Sequence, residues 1–258
     1  MPRPVGSACA PTHLVDPSSP VCDSRGRTFR LALLRGFELS INGLFTPLSS
    51  GPQHLLAYLA LNGKAMRRTQ VAGTLWGDVS DRRAAGNLRS MLWRLRRLDL
   101  DLVGTSNEYV SLSKGVVVDI HEVGRIAERI LAPSMDVTEL SLEELPFTGE
   151  LLPGWGDEWV VLERERLRQI SLHVLEALCE RWVGEGLYEK AVGAGLAAVA
   201  SEPLRESSHR VLIRAFLAEG NPTEAIRRYR MYRETLQREL NLTPSTHLTE
   251  LVANLAKR

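Results

Sequence analysis

Residues 80–98, SDRRAAGNLRSMLWRLRRL, carry the chain's most concentrated chemistry. Six arginines, Arg82, Arg83, Arg89, Arg94, Arg96 and Arg97, stand between Asp81 and Asp99 with no other charge among them. Surface helices ordinarily interleave charge signs, because opposite charges three or four residues apart stabilise each other. Guanidinium groups this crowded repel unless a polyanion faces them, and Arg together with Asn suits both phosphate oxygens and base edges. At about 100° per residue the stretch predicts a helix with two faces. Ala84, Leu88, Met91, Leu92, Leu95 and Leu98 share one apolar arc. Arg83, Asn87, Ser90, Arg94 and Arg97 lie opposite, with Gly86 and Trp93 beside them, while Arg82, Arg89 and Arg96 line one border. The pattern points to nucleic acid, weighed against a helix that is merely basic and solvated.

The composition agrees once charge is localised. The chain of 258 residues has a net charge of +1, with 44% hydrophobic and 24% charged residues, as expected of a soluble globular protein of two domains. Residues 60–100 hold nine Lys and Arg against three Asp, a local balance of +6, so the rest of the chain is acidic. The three cysteines, Cys9, Cys22 and Cys179, are scattered and form no CxxC, which fits a reducing cytosol. Cys179 reads as a small buried hydrophobe. The longest apolar run, Leu55 to Leu61, is too short to cross a bilayer, and the N-terminus lacks the hydrophobic stretch of a signal peptide. The expectation is a cytoplasmic protein acting at the nucleoid, without a membrane partner.

The elements around the arginine stretch have a telling order. Residues 1–28, rich in Pro, Ser and Gly, read as a disordered leader. Residues 29–48 alternate well enough for short strands, with Asn42-Gly43 as a hairpin turn. Pro52 stands at a first helical position, and QHLLAYLALNG runs as a helix closed by Gly63. A basic turn, Lys64 to Arg68, leads to a short helix ending at Gly77, which Thr69 caps and whose Leu75 and Trp76 anchor the core. The arginine helix follows. Residues 99–120 then alternate again, with a turn at Ser106-Asn107 and a return strand from Tyr109. Strands, three helices and a hairpin make a winged helix, whose third helix enters the major groove while the hairpin, or wing, touches the backbone.

Residues 121–132 read as one more short helix and 133–150 as a Pro/Ser/Glu-bearing connection. From Trp155 the helical periodicity runs almost unbroken to residue 240, and it repeats. ALCERWVGEGLYEKA (177–191) over VLIRAFLAEGNPTEA (211–225) pairs Leu178 with Leu212, Trp182 with Phe216, Gly186 with Gly220 and Ala191 with Ala225. Their common spacing of 34 is the tetratricopeptide period, with each glycine ending a helix and each alanine admitting a close neighbour. Residues 241–258 read as a loop and a last helix capped by Ser245. The expected fold is therefore mainly α with an α+β N-terminal domain. A winged helix-turn-helix over 29–120 precedes a tetratricopeptide-like helical domain over 121–258.

Enzyme signatures are weak. HEVGR at 121–125 opens like a zinc motif, but Arg125 occupies the second histidine position. Gly193, Gly195 and Ala198 mimic a dinucleotide loop with no strand before it, so helix packing explains them better. Glu143-Glu144 and Glu163/Glu165 fall in linker or exposed helical settings, and His54 reads as a surface or half-buried histidine, not a ligand. No catalytic, metal or cofactor site is expected.

The whole of residues 29–255 resembles the Streptomyces antibiotic regulatory proteins. These are transcriptional activators that join a response-regulator-type winged helix to a bacterial transcriptional activator domain. LLAYLALNG (55–63), TLWGD (74–78), NLRSMLWRLRR (87–97) and VDIHEV (118–123) carry the resemblance in the first half. LPGWGDEWVVLERERLR (152–168) and residues 202–240 carry it in the second. Arg67 departs from it, standing where the family has a capping Ser or Thr. With no nucleotide-binding domain following, the chain looks like a short member. The resemblance implies binding to direct repeats in double-stranded promoter DNA, two protomers side by side. It also implies recruitment of RNA polymerase holoenzyme through its sigma factor and other subunits, at genes of secondary-metabolite (antibiotic) biosynthesis. It places Arg94 where bases are reached, with Ser90 and Asn87 one and two turns earlier and Arg83 on the same arc. Lys64, Arg67, Arg68, Arg89, Arg96 and Arg97 become phosphate contacts, and Thr105, Ser106 and Asn107 the wing tip. The alternative is a protein-binding adaptor that uses the repeat groove without reading DNA sequence.

Overall fold

In the computed structural model the described residues are 25–98, 100–145 and 149–253. Most of the expected leader, with Cys9 and Cys22, lies outside them, as do Asp99, residues 146–148 and residues 254–258. Thr28, counted with that leader, is already held, its N–H donating to Asn42 Oδ1 at 2.8 Å.

Strands β1 (Phe29–Ala32), β2 (Glu38–Ile41) and β3 (Leu44–Phe45) form an antiparallel meander. Asn42 and Gly43 turn β2 into β3 with φ of +50° and +78°, the left-handed pair that a two-residue hairpin requires. Helix α1 (Ser50–Asn62) buries Leu55 through Leu61 on all sides, as a uniformly apolar helix must. It starts two residues earlier than the sequence reading, which leaves Pro52 inside the first turn, where a missing N–H costs no helical bond. Gly63 closes it at φ +63°, donating to Leu59 O.

Between α1 and the next helix the expected basic turn contains a strand, β4 (Met66–Arg67). Helix α2 (Arg68–Leu75) follows with Arg67, not Thr69, at its N-cap and no side chain capping it. The Arg68 N–H, one of the first-turn donors left over by the helix, is satisfied by Glu108 O at 2.8 Å. α2 stops at Leu75, short of Gly77. Val71 and Ala72 make its core contact, while Leu75 and Trp76 are only half-buried. Helix α3 (Asp81–Arg97) buries Ala84, Leu88, Leu92 and Leu95. Leu98, assigned above to that apolar arc, lies past the last turn and is exposed. Strands β5 (Val103–Thr105) and β6 (Tyr109–Leu112) form the wing and β4 pairs with β6, so the second sheet runs β4-β6-β5. β7 (Val116–Val118) leaves the wing and lies parallel to β1.

By contacts the chain divides into two compact units, residues 1–123 with 148–164, and 124–147 with 165–258. The sequence, read with one cut after residue 120, carried no sign of this return. Arg35 donates to Glu150 O and Leu152 to Leu33 O, both at 2.8 Å, and Leu151 and Leu152 are buried. Arg164 ties the returning segment together, donating to the carbonyls of Leu151 and Trp155 at 2.7 and 3.0 Å. Trp155 stacks on His54 at 3.9 Å, and Trp159 meets Tyr58 edge-on at 5.2 Å.

The second unit is helical. α4 (Asp119–Leu131) and α5 (Glu158–Gly184) enter it from the first, followed by α6 (Tyr188–Ser201), α7 (Glu206–Glu219), α8 (Pro222–Leu240) and α9 (Thr246–Ala253). The repeat of 34 is realised atom for atom. Gly186 (φ +73°) and Gly220 (φ +86°) end α5 and α7 in the same two-bond cap, with Leu187 N donating to Trp182 O and Asn221 N to Phe216 O, each at 2.8 Å. Leu178, Trp182 and Ala191 are buried, as are their counterparts Leu212, Phe216 and Ala225. Ser245 caps α9, its hydroxyl accepting from Leu248 N at 3.3 Å.

The stretch read as a connection is a packed part of this unit. Val137, Leu140 and Leu145 are buried, and Leu142–Glu144 form a single 3-10 turn in which Glu144 is half-buried. The Trp182 indole donates to Val137 O at 2.8 Å and Lys190 to Thr138 O at 2.7 Å. Arg181 donates to the carbonyls of Ile130 and Met135. The sequence reads this segment as a linker because its buried Val137, Leu140 and Leu145 keep no helical or strand period. The carbonyls that it offers to Arg181, Trp182 and Lys190 are carried by every residue type.

Two glycines test the packing. A Cβ on Gly195 would stand 3.0 Å from the Cα and Cβ of Leu212, whereas one on Gly73 would meet nothing within 4 Å. Urea unfolding is expected to show Gly195→Ala destabilised by about 1 kcal/mol, crowding exceeding the helix-propensity gain, and Gly73→Ala stabilised by about 0.5–1 kcal/mol. His209 sets a pH dependence. Burial holds its pKa below the usual 6.5, Nε2 donates to Pro203 O at 2.9 Å, and buried Nδ1 has no partner. The folded state prefers the neutral ring, so this contribution is full above pH 6.5 and is lost as pH falls below it. Between pH 7 and 5 the denaturation midpoint of His209→Gln is expected to fall less than that of the wild type.

Candidate nucleic-acid interface

α3 owes its place to its apolar side. Ala84, Leu88, Leu92 and Leu95 face the core at intervals of four, four and three residues, leaving the opposite side to solvent. Gly51 of α1 lies so close to Met91 that a Cβ there would come within 2.6 Å of the thioether sulfur. Asp81 in the first turn and Arg94, Arg96 and Arg97 in the last match the helix dipole at both ends.

The exposed side carries the residues singled out by sequence. Arg83, Arg89, Ser90, Arg94, Arg96 and Arg97 are exposed and Asn87 is half-buried. Among the described residues, no carboxylate pairs with any of the six arginines of α3. The Ser90 hydroxyl donates to Gly86 O at 3.0 Å, which leaves its oxygen to accept. Arg82, not assigned a contact from sequence, is exposed on the same side.

The neighbouring elements bring further cations to the wing. Register in the second sheet sets Arg67 opposite Tyr109 and Met66 opposite Val110, so the start of α2 stands beside the wing. Arg67 is exposed there, and so is Lys64 before it. Arg68 is half-buried, and its Nη1 donates to Ser106 O at 3.1 Å. Arg96 Nη2 donates to Thr105 Oγ1 at 2.5 Å. Two of the expected phosphate contacts, Arg68 and Arg96, thus hold the wing. Ser106 Oγ accepts from Tyr109 N at 3.0 Å and tightens the turn, with Ser106 and Asn107 exposed at its tip. Sequence spacing did not reveal the Arg68 brace, because β4 is two residues long and its partner lies over forty residues on.

The apparent enzyme motifs resolve into structure. His121 Nε2 donates to Ala60 O at 2.7 Å, fixing α4 against the end of α1. Cys179 is buried, and burial raises its thiol pKa to about 12. Gly193 and Gly195 lie within α6. Among the described residues, no group of three His, Cys, Asp or Glu is placed to hold a metal, and no helix is long and apolar enough to cross a membrane.

A winged helix followed by a tetratricopeptide-like helical array is the class of protein that this fold defines. Residues 139–255 match the bacterial transcriptional activator domain. The structure of Mycobacterium tuberculosis EmbR, solved in complex with a low affinity phosphopeptide, superposes with a TM-score of 0.67 at 18% identity. The match covers 90% of this chain and 65% of that one, so the chain spans somewhat less than two thirds of EmbR's length and shares its fold. No curated protein sequence matches the chain.

If Arg96 braces the wing, Arg96→Ala will speed amide exchange at Thr105–Tyr109 while unfolding stability changes by no more than about 1 kcal/mol, the scale of one exposed hydrogen bond. Unchanged exchange in the wing would remove the brace.

Proposed function

We propose that this chain is a sequence-specific activator of transcription that reads promoter DNA with α3. The single observation that carries the reading is the exposed side of α3, with six arginines and no carboxylate partner among the described residues. An α-helix fits the major groove of B-DNA, and an arginine there reads guanine through two hydrogen bonds. Arg94 is the base-reading residue, supported by Asn87, which is suited to adenine, with Ser90 and Arg83 on the same arc. Lys64, Arg67, Arg89 and Arg97 supply phosphate contacts, and the wing tip at Thr105–Asn107 meets the backbone beyond.

The bacterial transcriptional activator domain supports the second half of the proposal. Two protomers bind direct repeats side by side, and the helical domain recruits RNA polymerase to genes of antibiotic biosynthesis. The activity requires no cofactor, because recruitment is binding and not bond-making.

Mobility shifts with a duplex selected for binding from genomic fragments, against a scrambled duplex, test the reading. Arg94→Ala and Asn87→Ala are each expected to cost about 1–3 kcal/mol of discrimination, roughly 5- to 150-fold, while binding to the scrambled duplex changes far less. Variants that discriminate like the wild type would take base reading away from this side of α3.

A further inference from the structure

Trp93 lies on the exposed side of α3, with 57% of its surface in solvent. Lone exposed apolar side chains are common on protein surfaces, so exposure by itself means little. Its surroundings are more specific. Arg97, one turn later, holds its guanidinium over the indole, with Cζ 4.8 Å from the ring centroid. That stack covers one face and limits how the ring can turn. Long side chains on a helix lean over the preceding turn, which carries Arg89 and Ser90, with Gly86 one turn further back. Gly86 has no side chain, and a Cβ placed on it would meet only Arg89 Nη2, at 3.7 Å. Ser90 turns its hydroxyl back onto Gly86 O. The indole is thus an exposed apolar surface, stacked under Arg97 on one face, on a helix side otherwise made of Arg, Asn, Ser and Gly.

The edges of the base pairs in the major groove are hydrogen-bonding groups with one apolar exception, the C5-methyl of thymine. We propose that Trp93 is a specificity-determining residue that packs on a thymine methyl in the major groove, with Arg97 setting the tilt of the ring. The proposal rests on α3 being the recognition helix and adds a preference that hydrogen bonding alone does not provide. It also gives Arg97 a second task beside its phosphate contact.

The test removes one methyl group from the DNA and leaves the protein untouched. Duplexes are first selected by wild-type protein from a random library, and each thymine in the selected sequence is then replaced singly by deoxyuridine. Affinities of wild type, Trp93→Gln and Trp93→Phe are measured at one fixed salt concentration. At one thymine position per half-site, the replacement is expected to weaken wild-type binding about threefold to tenfold, the scale of one buried methyl group. Trp93→Gln will bind the thymine and deoxyuridine duplexes alike, and Trp93→Phe will keep part of the difference. Wild-type affinity indifferent to every replacement, or a difference that survives in Trp93→Gln, overturns the proposal. In those cases α3 still reads DNA if the selected duplex outcompetes a scrambled one. Failure of that competition overturns the recognition helix and the role of Trp93 with it.

Discussion

Repulsion among the arginines of α3 is the constraint on which the rest of the first unit depends. Two unit charges about 8 Å apart in water repel by about 0.5 kcal/mol. Several such pairs lie along a helix of seventeen residues, with no carboxylate among the described residues to relieve them. The opposite side holds the helix in place. Leu88, Leu92 and Leu95 are almost completely buried, and each such side chain contributes roughly 1.5–3 kcal/mol. Burial exceeds repulsion, so the helix stays docked with its cations outward. A favourable partner then gains every interaction that the isolated chain leaves unmade.

Position on the surface is set by short pieces of backbone. β4 contributes two residues, yet its pairing with β6 brings the start of α2 to the wing. Arg68 and Arg96 then reach the wing from two directions, one to a carbonyl and one to a hydroxyl. The returning segment does similar work elsewhere in the unit. Trp155 on His54 holds residues 149–164 against α1, and the Arg35–Glu150 and Leu152–Leu33 backbone bonds hold them beside the end of β1. Arg164 on three carbonyls ties the segment to itself.

The periodic elements were legible in the sequence and the aperiodic ones were not. α3 follows from apolar residues at helical spacing, and the repeat from four pairs of residues 34 apart. Asn42-Gly43 announces its hairpin because few other residues adopt those angles without strain. Residues 133–145 and 149–157 have no period, and they are held by scattered buried side chains such as Val137, Leu140 and Leu151, by their own carbonyls and by single aromatic contacts. Such contacts depend on the tertiary fold, and local residue types do not encode them. The same limit applied within the interface. The wheel identified which side of α3 is charged, but the engagement of Arg68 with the wing depends on a strand pairing over forty residues away in sequence, and that of Arg96 on where the wing folds back. Trp93 was visible as an exposed residue, but its stack on Arg97 required coordinates.

The salt dependence of DNA affinity addresses the role of the arginines with the fewest assumptions. Each phosphate neutralised contributes about 0.9 to the slope of log affinity against log salt, so a face of this charge should give a wild-type slope on the order of −5. Replacing the four proposed phosphate contacts Lys64, Arg67, Arg89 and Arg97 together by glutamine should bring the slope most of the way to zero. A wild-type slope near zero, or one that the quadruple replacement leaves unchanged, would show that this charge is not kept for nucleic acid.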